Sequence, residues 1–281
     1  MNILHISDFH YLERNDSDYR TRVEKLCNDV SNKAIDLIVF SGDLVYEGGK
    51  LDTFKKASSI LFDELLKATN LDKSKIVITQ GNHDMERGTE IHSITKDLDS
   101  IMTSNAVDDF CKDSRSVELS FENSKHYNEY IREYYNGVDI EINDFCNTRT
   151  QNINGINIGV LSVNSAWRCK KSEQDRGNLL MHIPTVNDAV FKIKDCDVIL
   201  VTMHHRLSDF KEFIESELSN IIYDRCHLLL TGHYHKALMG TSCYGDSGIL
   251  FSSAPAIYNR HDPKSEYGYR IIGLQKDAKG E

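Results

Sequence analysis

The chain is short of the residues that mark modular, stapled or membrane-bound proteins. Only 3 prolines and 16 glycines occur in 281 residues, which excludes a linker-rich string of small modules. No run of 18 apolar residues is present, so no membrane span is predicted. The opening MNILHISDFH turns polar within five positions and has no basic stretch ahead of an apolar one, so it does not read as a secretory signal. The 7 cysteines are odd in number and scattered, with no Cys-x-x-Cys pair. That argues against a disulfide frame or a thiolate zinc site, and predicts reduced thiols in a cytoplasmic protein. There is no glycine-rich Walker loop and no GxSxG elbow, which removes the NTPase motor and the serine-hydrolase readings of Ser7 and Ser41. An excess of positive charge is also lacking: 33 basic against 43 acidic residues leave a net charge of −10. A broad nucleic-acid-coating surface is disfavoured, whereas an enzyme gripping one phosphate in a pocket is not.

What is present is an ordinary globular composition, 40% hydrophobic and 27% charged, with short apolar runs alternating with helical periodicity. Asn2–Ser7, Asp36–Phe40 and Lys75–Thr79 read as buried strands, separated by helical patterns over 17–34 and 52–68. This alternation implies parallel βαβ units. Asn154-Gly155 between two β-like runs is a hairpin signal. Further strands are predicted at 157–163, 197–203 and 227–231, with helices at 185–194 and 208–222, and three short strands across 236–274. The polar, aromatic-dotted stretch 85–150 predicts a mostly helical insertion or cap on a single domain spanning 1–281. Its acidic segments read as a solvated face.

Polar residues collect where these strands end. They are Ser7-Asp8-Phe9-His10, Ser41-Gly42-Asp43, Gln80-Gly81-Asn82-His83-Asp84, His204-His205 and Gly232-His233-Tyr234-His235. In open α/β sheets ligands bind outside the carboxyl ends of the strands. One Asp or Asn there is usually a turn residue, and one His usually a satisfied surface or core residue. Five strand ends aiming Asp, Asn and His at one edge are a metal site, because imidazole and carboxylate together suit Mn, Fe, Zn, Ni or Co. Asp8-x-His10 and His233-x-His235 would each place two side chains on one side of an extended strand. Seven candidate ligands suit two ions bridged by one carboxylate, with Asp43 the best bridge. His5 reads as a core or supporting residue, and His92, His126, His182 and His227 as unremarkable surface or core histidines.

The set D8-x-H10, G42-D43, G81-N82-H83-D84, H204 and G232-H233-x-H235 resembles the calcineurin-like metallophosphoesterases, with all five motifs in order over residues 8–235. The resemblance implies a four-layer α/β/β/α sandwich of two mixed sheets flanked by helices, with a dinuclear site at the carboxyl strand ends. It implies one ion held by Asp8, His10, Asp43 and His235, and a second by Asp43, Asn82, His204 and His233. His204 and His205 both remain open as the ligand by spacing, and the family's usual pattern favours His204. The resemblance also implies catalytic roles for His83, near the leaving group, and for Asp84, orienting it. Arg206 stands where the family often has proline, and adds a cation near substrate. Asn164 and Trp167 are further substrate-binding candidates, with a packing aromatic as the alternative reading of Trp167; Tyr258, Arg260 and His261 are candidates for the same edge.

The implied activity is hydrolysis of a phosphoester with two divalent ions, Mn preferred, by in-line attack of a metal-bound hydroxide. GNHD is more similar to the motif of bacterial diesterases and DNA-repair nucleases than to the GNHE of phosphoprotein phosphatases. That favours a phosphodiester substrate, nucleic acid or nucleotide, and Arg168 to Lys171 supply a small local basic patch. A phosphomonoesterase is the alternative. A non-catalytic scaffold with a decayed site is the third reading, and the complete ligand set argues against it. Asn164 to Trp167 ahead of His-His-Arg is also similar to phosphoesterase modules of bacterial multidomain defence proteins, which implies further domains or a partner protein.

Overall fold

A computed structural model of the chain describes residues 1–170, 172–244, 247–258 and 266–275. The first sheet has the order β11-β1-β2-β3, formed by β1 (Asn2–Ile6), β2 (Leu37–Phe40), β3 (Ile76–Ile78) and β11 (Arg270–Gly273). The second has the order β4-β5-β6-β7-β8-β10-β9. Its strands are β4 (Glu141–Ile142), β5 (Cys146–Ile153), β6 (Ile156–Val163), β7 (Val198–Met203), β8 (Leu228–Thr231), β9 (Leu238–Tyr244) and β10 (Ser247–Ser253). β1, β2 and β3 run parallel, as do β6, β7, β8 and β10, and the outer strands are antiparallel. Both sheets are therefore mixed.

The two-residue period of the strands builds the layers. Ile3, Leu37, Val39 and Val77 face Ile158, Val160, Leu200, Leu228 and Leu230 in a core between the sheets. Their alternates Leu4, Ile6, Ile38, Phe40, Ile76 and Ile78 face helices on the other side of the first sheet. Leu161, Val163, Ile199, Val201, Met203 and Leu229 face helices outside the second. Strands buried on both faces read as continuous apolar runs, which is why LIVF and VILVTM were legible as strands. Helix 16–30 buries Tyr19, Val23, Leu26 and Val30 at helical spacing. Helices 183–192 and 212–225 cover the second sheet, the former with Pro184 in its first turn. Helix, sheet, sheet and helix make the four-layer α/β/β/α sandwich expected from the resemblance.

Three elements differ from the sequence reading. The helix expected at 52–68 runs from 51 to 69 through a π turn at Ser59–Asp63. Within 85–150, β4 and the start of β5 are strands, while the turn that joins β5 to β6 is the expected one, at Asn154 and Gly155, both at positive φ. The helices of this stretch contribute to both outer cores: Ile94, Leu98 and Val107 to that of the second sheet, Tyr127, Tyr130 and Ile131 to that of the first. Among the described residues no helix is long and apolar enough to cross a membrane.

Candidate metal centre

The carboxyl ends of β1, β2, β3, β7 and β8 all deliver their polar residues to one place. β1 and β2 pair in parallel as far as Ile6 and Phe40. The chain then turns: Asp8 N–H donates to Gly42 O at 3.0 Å, and Phe9 and His10 N–H both donate to Asp43 O. Asp8, His10, Asp43, His233 and His235 all have positive φ, between 48° and 69°. The extended-strand alternation expected for Asp8-x-His10 and His233-x-His235 is therefore corrected. The pairs converge because each residue sits in a left-handed turn, a conformation costly for a side chain and typical of functional sites. Gly42, at φ +105°, makes the turn before Asp43. At Gly81 and Gly232 a methyl group would lie 2.1 Å from Asp43 Oδ1 and 2.0 Å from Ser7 Oγ, so only glycine lets these loops approach.

Two groups of donors result. In the first, Asp8 Oδ1 lies 3.1 Å from His235 Nε2 and 3.5 Å from His10 Nε2, and the two imidazole nitrogens are 3.2 Å apart. In the second, His233 Nδ1 is 3.1 Å from Asn82 Oδ1, and His204 lies 5.1 Å from His233 between ring centres. Asp43 stands between the groups, its Oδ2 at 3.1 Å from His204 Nε2 and 3.6 Å from His10 Nε2. All seven candidate ligands are thus brought together. Asp8 Oδ1 and His204 Nε2 are fully buried without a hydrogen-bond partner. Unpartnered buried lone pairs converging from nitrogen and oxygen donors fit divalent ions of the Mn, Fe or Zn type.

The electrostatics show the same demand for positive charge. Burial alone would raise the carboxyls of Asp8 and Asp43. The neighbouring His10 and His235 imidazoles hold Asp8 well below the usual range, and His204, His83 and His10 hold Asp43 down. Burial would lower His204, but Asp43 and Asp8 overcome it and raise it to about 9. His233 is pushed by burial and by His204 down to about 3, against a smaller opposing pull from Asp43 and Asp8.

His204 and His205 separate by their hydrogen bonds. His204 Nδ1–H donates to Ser41 O at 2.7 Å, leaving Nε2 toward Asp43. His205 has both ring nitrogens engaged, Nδ1 with Ser165 Oγ at 2.9 Å and Nε2 with Cys169 Sγ at 3.5 Å. Ser165 Oγ also accepts the backbone N–H of both histidines. His5 is a supporting residue, bridging Ser41 and Ser252 inside the fold.

His83 and Asp84 are side by side in sequence but do not form the expected pair. Asp84 accepts the backbone N–H of Asp43, Gly81 and Val45, at 3.0, 2.9 and 3.0 Å. It ties the loops after β2 and β3 together. Burial and the charge of Asp43 push its carboxyl up to about 7, while the N–H donors pull it down. The partner of the His83 ring is a carbonyl: Nδ1–H donates to Tyr46 O at 2.9 Å. His83 N–H donates to Asp43 Oδ1 at 2.8 Å, and its ring packs at 4.6 Å on that of His10. Burial lowers its pKa, against the opposing charge of Asp43.

The substrate-binding candidates divide. The Arg206 guanidinium lies 3.9 Å over the ring of Tyr234, which in sequence separates the candidate ligands His233 and His235. Trp167 is a core residue, corrected from a wall of the cleft: it is 2% exposed, donates to Ser120 Oγ, and packs among Phe110, Phe121 and Phe145. Asn164 is likewise a loop clamp, donating to Asp144 O and accepting Ala166 N–H. Tyr258 is buried against Tyr19; Arg260, His261 and Lys171 lie outside the described residues. Tyr46 O, Ser41 O and the Ser165 hydroxyl are supporting groups that sequence reasoning missed. A backbone carbonyl leaves no signature in residue type.

The calcineurin-like phosphoesterase family model matches residues 1–237. The chain belongs to that family. Its members are metal-dependent phosphoester hydrolases with dinuclear centres. Among solved structures, this phosphoesterase is similar to a dimetal phosphatase from Danio rerio, at 10% identity and a TM-score of 0.53, over 96% of this chain and 91% of that one. It is also similar to a purple acid phosphatase from yellow lupin seeds, at 9% identity and a TM-score of 0.53, over 96% of this chain and 48% of the other, about half its length. At such identities the likeness is one of fold. No curated protein matches the chain in sequence.

Proposed function

We propose that this phosphoesterase is a dinuclear phosphodiesterase acting on nucleic acid or nucleotides. The observation that carries the reading is the convergence of seven nitrogen and oxygen donors from five strand ends, three of which, Asp8, His10 and His204, carry a buried, unpartnered atom. Asp8, His10, Asp43 and His235 would hold one ion, and Asp43, Asn82, His204 and His233 the other, with Asp43 shared. His205 is left out because both its nitrogens are engaged. The mixed imidazole and carboxylate set suits Mn²⁺, with Fe, Zn, Ni and Co as alternatives. Bound there, the ions supply Lewis acidity to the phosphoryl oxygens and to the attacking water.

The chain's own residues do the rest. Asp43 and Asp84 set the spacing of the loops, and Ser41 O fixes the tautomer of His204 so that Nε2 faces the centre. Tyr46 O fixes His83 in the same way, leaving Nε2 as the nitrogen that carries a proton to the leaving oxygen. Burial lowers the pKa of His83, and an anionic substrate beside it favours the protonated ring that gives up this proton. Arg206, held over the ring of Tyr234, orients a phosphoryl oxygen. A phosphodiester has one negative charge, which one flanking arginine balances.

The test compares a chromogenic phosphodiester with the matching monoester, each with Mn²⁺ and with chelator. Diester turnover well above monoester turnover, abolished by chelation, is expected. Monoester preference would replace the reading with a phosphatase. No turnover in metal-loaded protein would favour the scaffold reading.

A further inference from the structure

Beside the metal centre, an open cavity of about 230 Å³ lies between helix 16–30 and the residues that flank β11. Its lining combines aromatic planes with cations. Arg22 lies 5.0 Å over the ring of Tyr258 and 5.3 Å over that of Tyr267. Lys25 is one helical turn further along the same face, and both cations are exposed and form no ion pair among the described residues. Tyr267 is 44% exposed. The acidic group in the lining, Asp29, is already engaged by the Tyr269 hydroxyl and by Lys33. The residues next in sequence to the lining residues Ile257 and Tyr267 are bonded to the backbone of the candidate ligands. Tyr258 N–H donates to Asp8 O at 3.3 Å, and Glu266 N–H, next to Tyr267, donates to His235 O at 2.9 Å. Tyr19, on the same helix as Arg22, donates its hydroxyl to His10 O.

We propose that this cavity is a subsite for single-stranded nucleic acid, which seats a base on Tyr267 and the neighbouring phosphates on Arg22 and Lys25 while the scissile phosphate lies at the metal centre. The inference rests on the diesterase reading above and names the part of the substrate that a small diester lacks. The chemistry is that of strand-binding grooves: an aromatic face takes any base, and adjacent cations follow the backbone. A subsite of two cations also reconciles an acidic chain with an anionic polymer, because only a short stretch of strand needs to be neutralised. Arg22 is held by the two rings in one orientation, which lowers the entropy cost of meeting a phosphate.

The test is fluorescence anisotropy with labelled ten-nucleotide oligothymidylate and oligouridylate, in chelator so that nothing is cut, alongside turnover of bis-p-nitrophenyl phosphate with Mn²⁺. The whole 281-residue chain is used. Wild-type protein is expected to bind one or both oligomers, with affinity falling as salt rises. Tyr267→Ala should weaken binding roughly tenfold. The Arg22→Ala, Lys25→Ala double variant should flatten the slope of log affinity against log salt by about 1.4, at about 0.7 per phosphate contact. Lys25→Glu, which leaves the aromatic stack intact, should weaken binding without altering the fold. Small-diester turnover should stay unchanged in every variant. Failure of the wild type to bind either oligomer, equal binding by all variants, or a parallel fall in small-diester turnover would each overturn the subsite. Oligomer binding that depends on these residues, in a protein that hydrolyses no diester, would overturn the diesterase reading and keep the subsite.

Discussion

The loops after β1 and after β6 leave their sheets at the same kind of place with comparable polar sequences, Ser-Asp-Phe-His and Asn-Ser-Ala-Trp. They do opposite things. In the first, Asp8 and His10 take left-handed backbone and Asp8 Oδ1 is buried with no hydrogen-bond partner. In the second, the side chains of Asn164, Ser165 and Trp167 all have partners within the protein, and Trp167 is closed into an aromatic cluster. Polar residues at a strand end are therefore weak evidence of a site. Buried donors that the fold leaves unsatisfied, on backbone it strains to hold, are strong evidence.

Substitutions can break this contrast. Asp43→Asn removes the carboxylate shared by both groups and should lower metal content and turnover together, by more than about a hundredfold in affinity; full metal content by elemental analysis with normal turnover would end the bridging assignment. His83→Ala should keep both ions and lower kcat by roughly 10²- to 10⁴-fold, most for poor leaving groups. Metal loss instead would make His83 a ligand. Across the contrast, Trp167→Ala should cost about 3–5 kcal/mol of stability in denaturant unfolding and leave kcat per folded molecule unchanged. Asn164→Ala should cost about 1 kcal/mol, again with kcat unchanged; a fall in kcat for either would return that loop to the cleft.

The pH dependence of stability sharpens the same contrast in the metal-free protein. His5 and His233, lowered to about 3, and His205, lowered well below its usual range by burial, are neutral when folded and take up protons near 6.5 when unfolded. Their contribution to stability is present above 6.5 and is lost as the pH falls. His204, raised to about 9, has the opposite sign: its contribution is present below 6.5 and is lost as the pH rises through about 9. Thermal unfolding in chelator should give a midpoint that falls on both sides of neutrality. Saturating Mn²⁺ should remove the alkaline fall, because the ion replaces the His204 proton. A midpoint flat from pH 5 to 9 in chelator would contradict both signs.

The layers were legible because parallel strands buried on both faces are written as unbroken apolar runs, and the convergence of the candidate ligands was legible because several strand ends carry metal-type residues at once. Asp8-x-His10 was found by its residue types, although the alternation argument for it does not hold, since left-handed turns have no sequence period. The hydrogen bonds of Asp84 could not be read, because its partners are backbone N–H groups, two of them in a loop some forty residues away. Tyr46 O acts through a carbonyl that every residue has. His204 and His205 are identical letters, and only the partners of their ring nitrogens tell them apart. Trp167 followed a strand end like a cleft residue, while the Phe110, Phe121 and Phe145 rings that enclose it come from elements distant in sequence.

The five non-glycine left-handed residues of the centre have a consequence for the lifetime of the chain. Each costs roughly 1 kcal/mol of folding energy, about 5 kcal/mol together, a large share of what a domain has in reserve. Ions that bind only the folded form offset that cost by mass action. A copy that has not found metal carries it in full, opens more often, and is the copy that a protease meets first. The supply of metal then sets how much of this protein exists as well as how much of it is active.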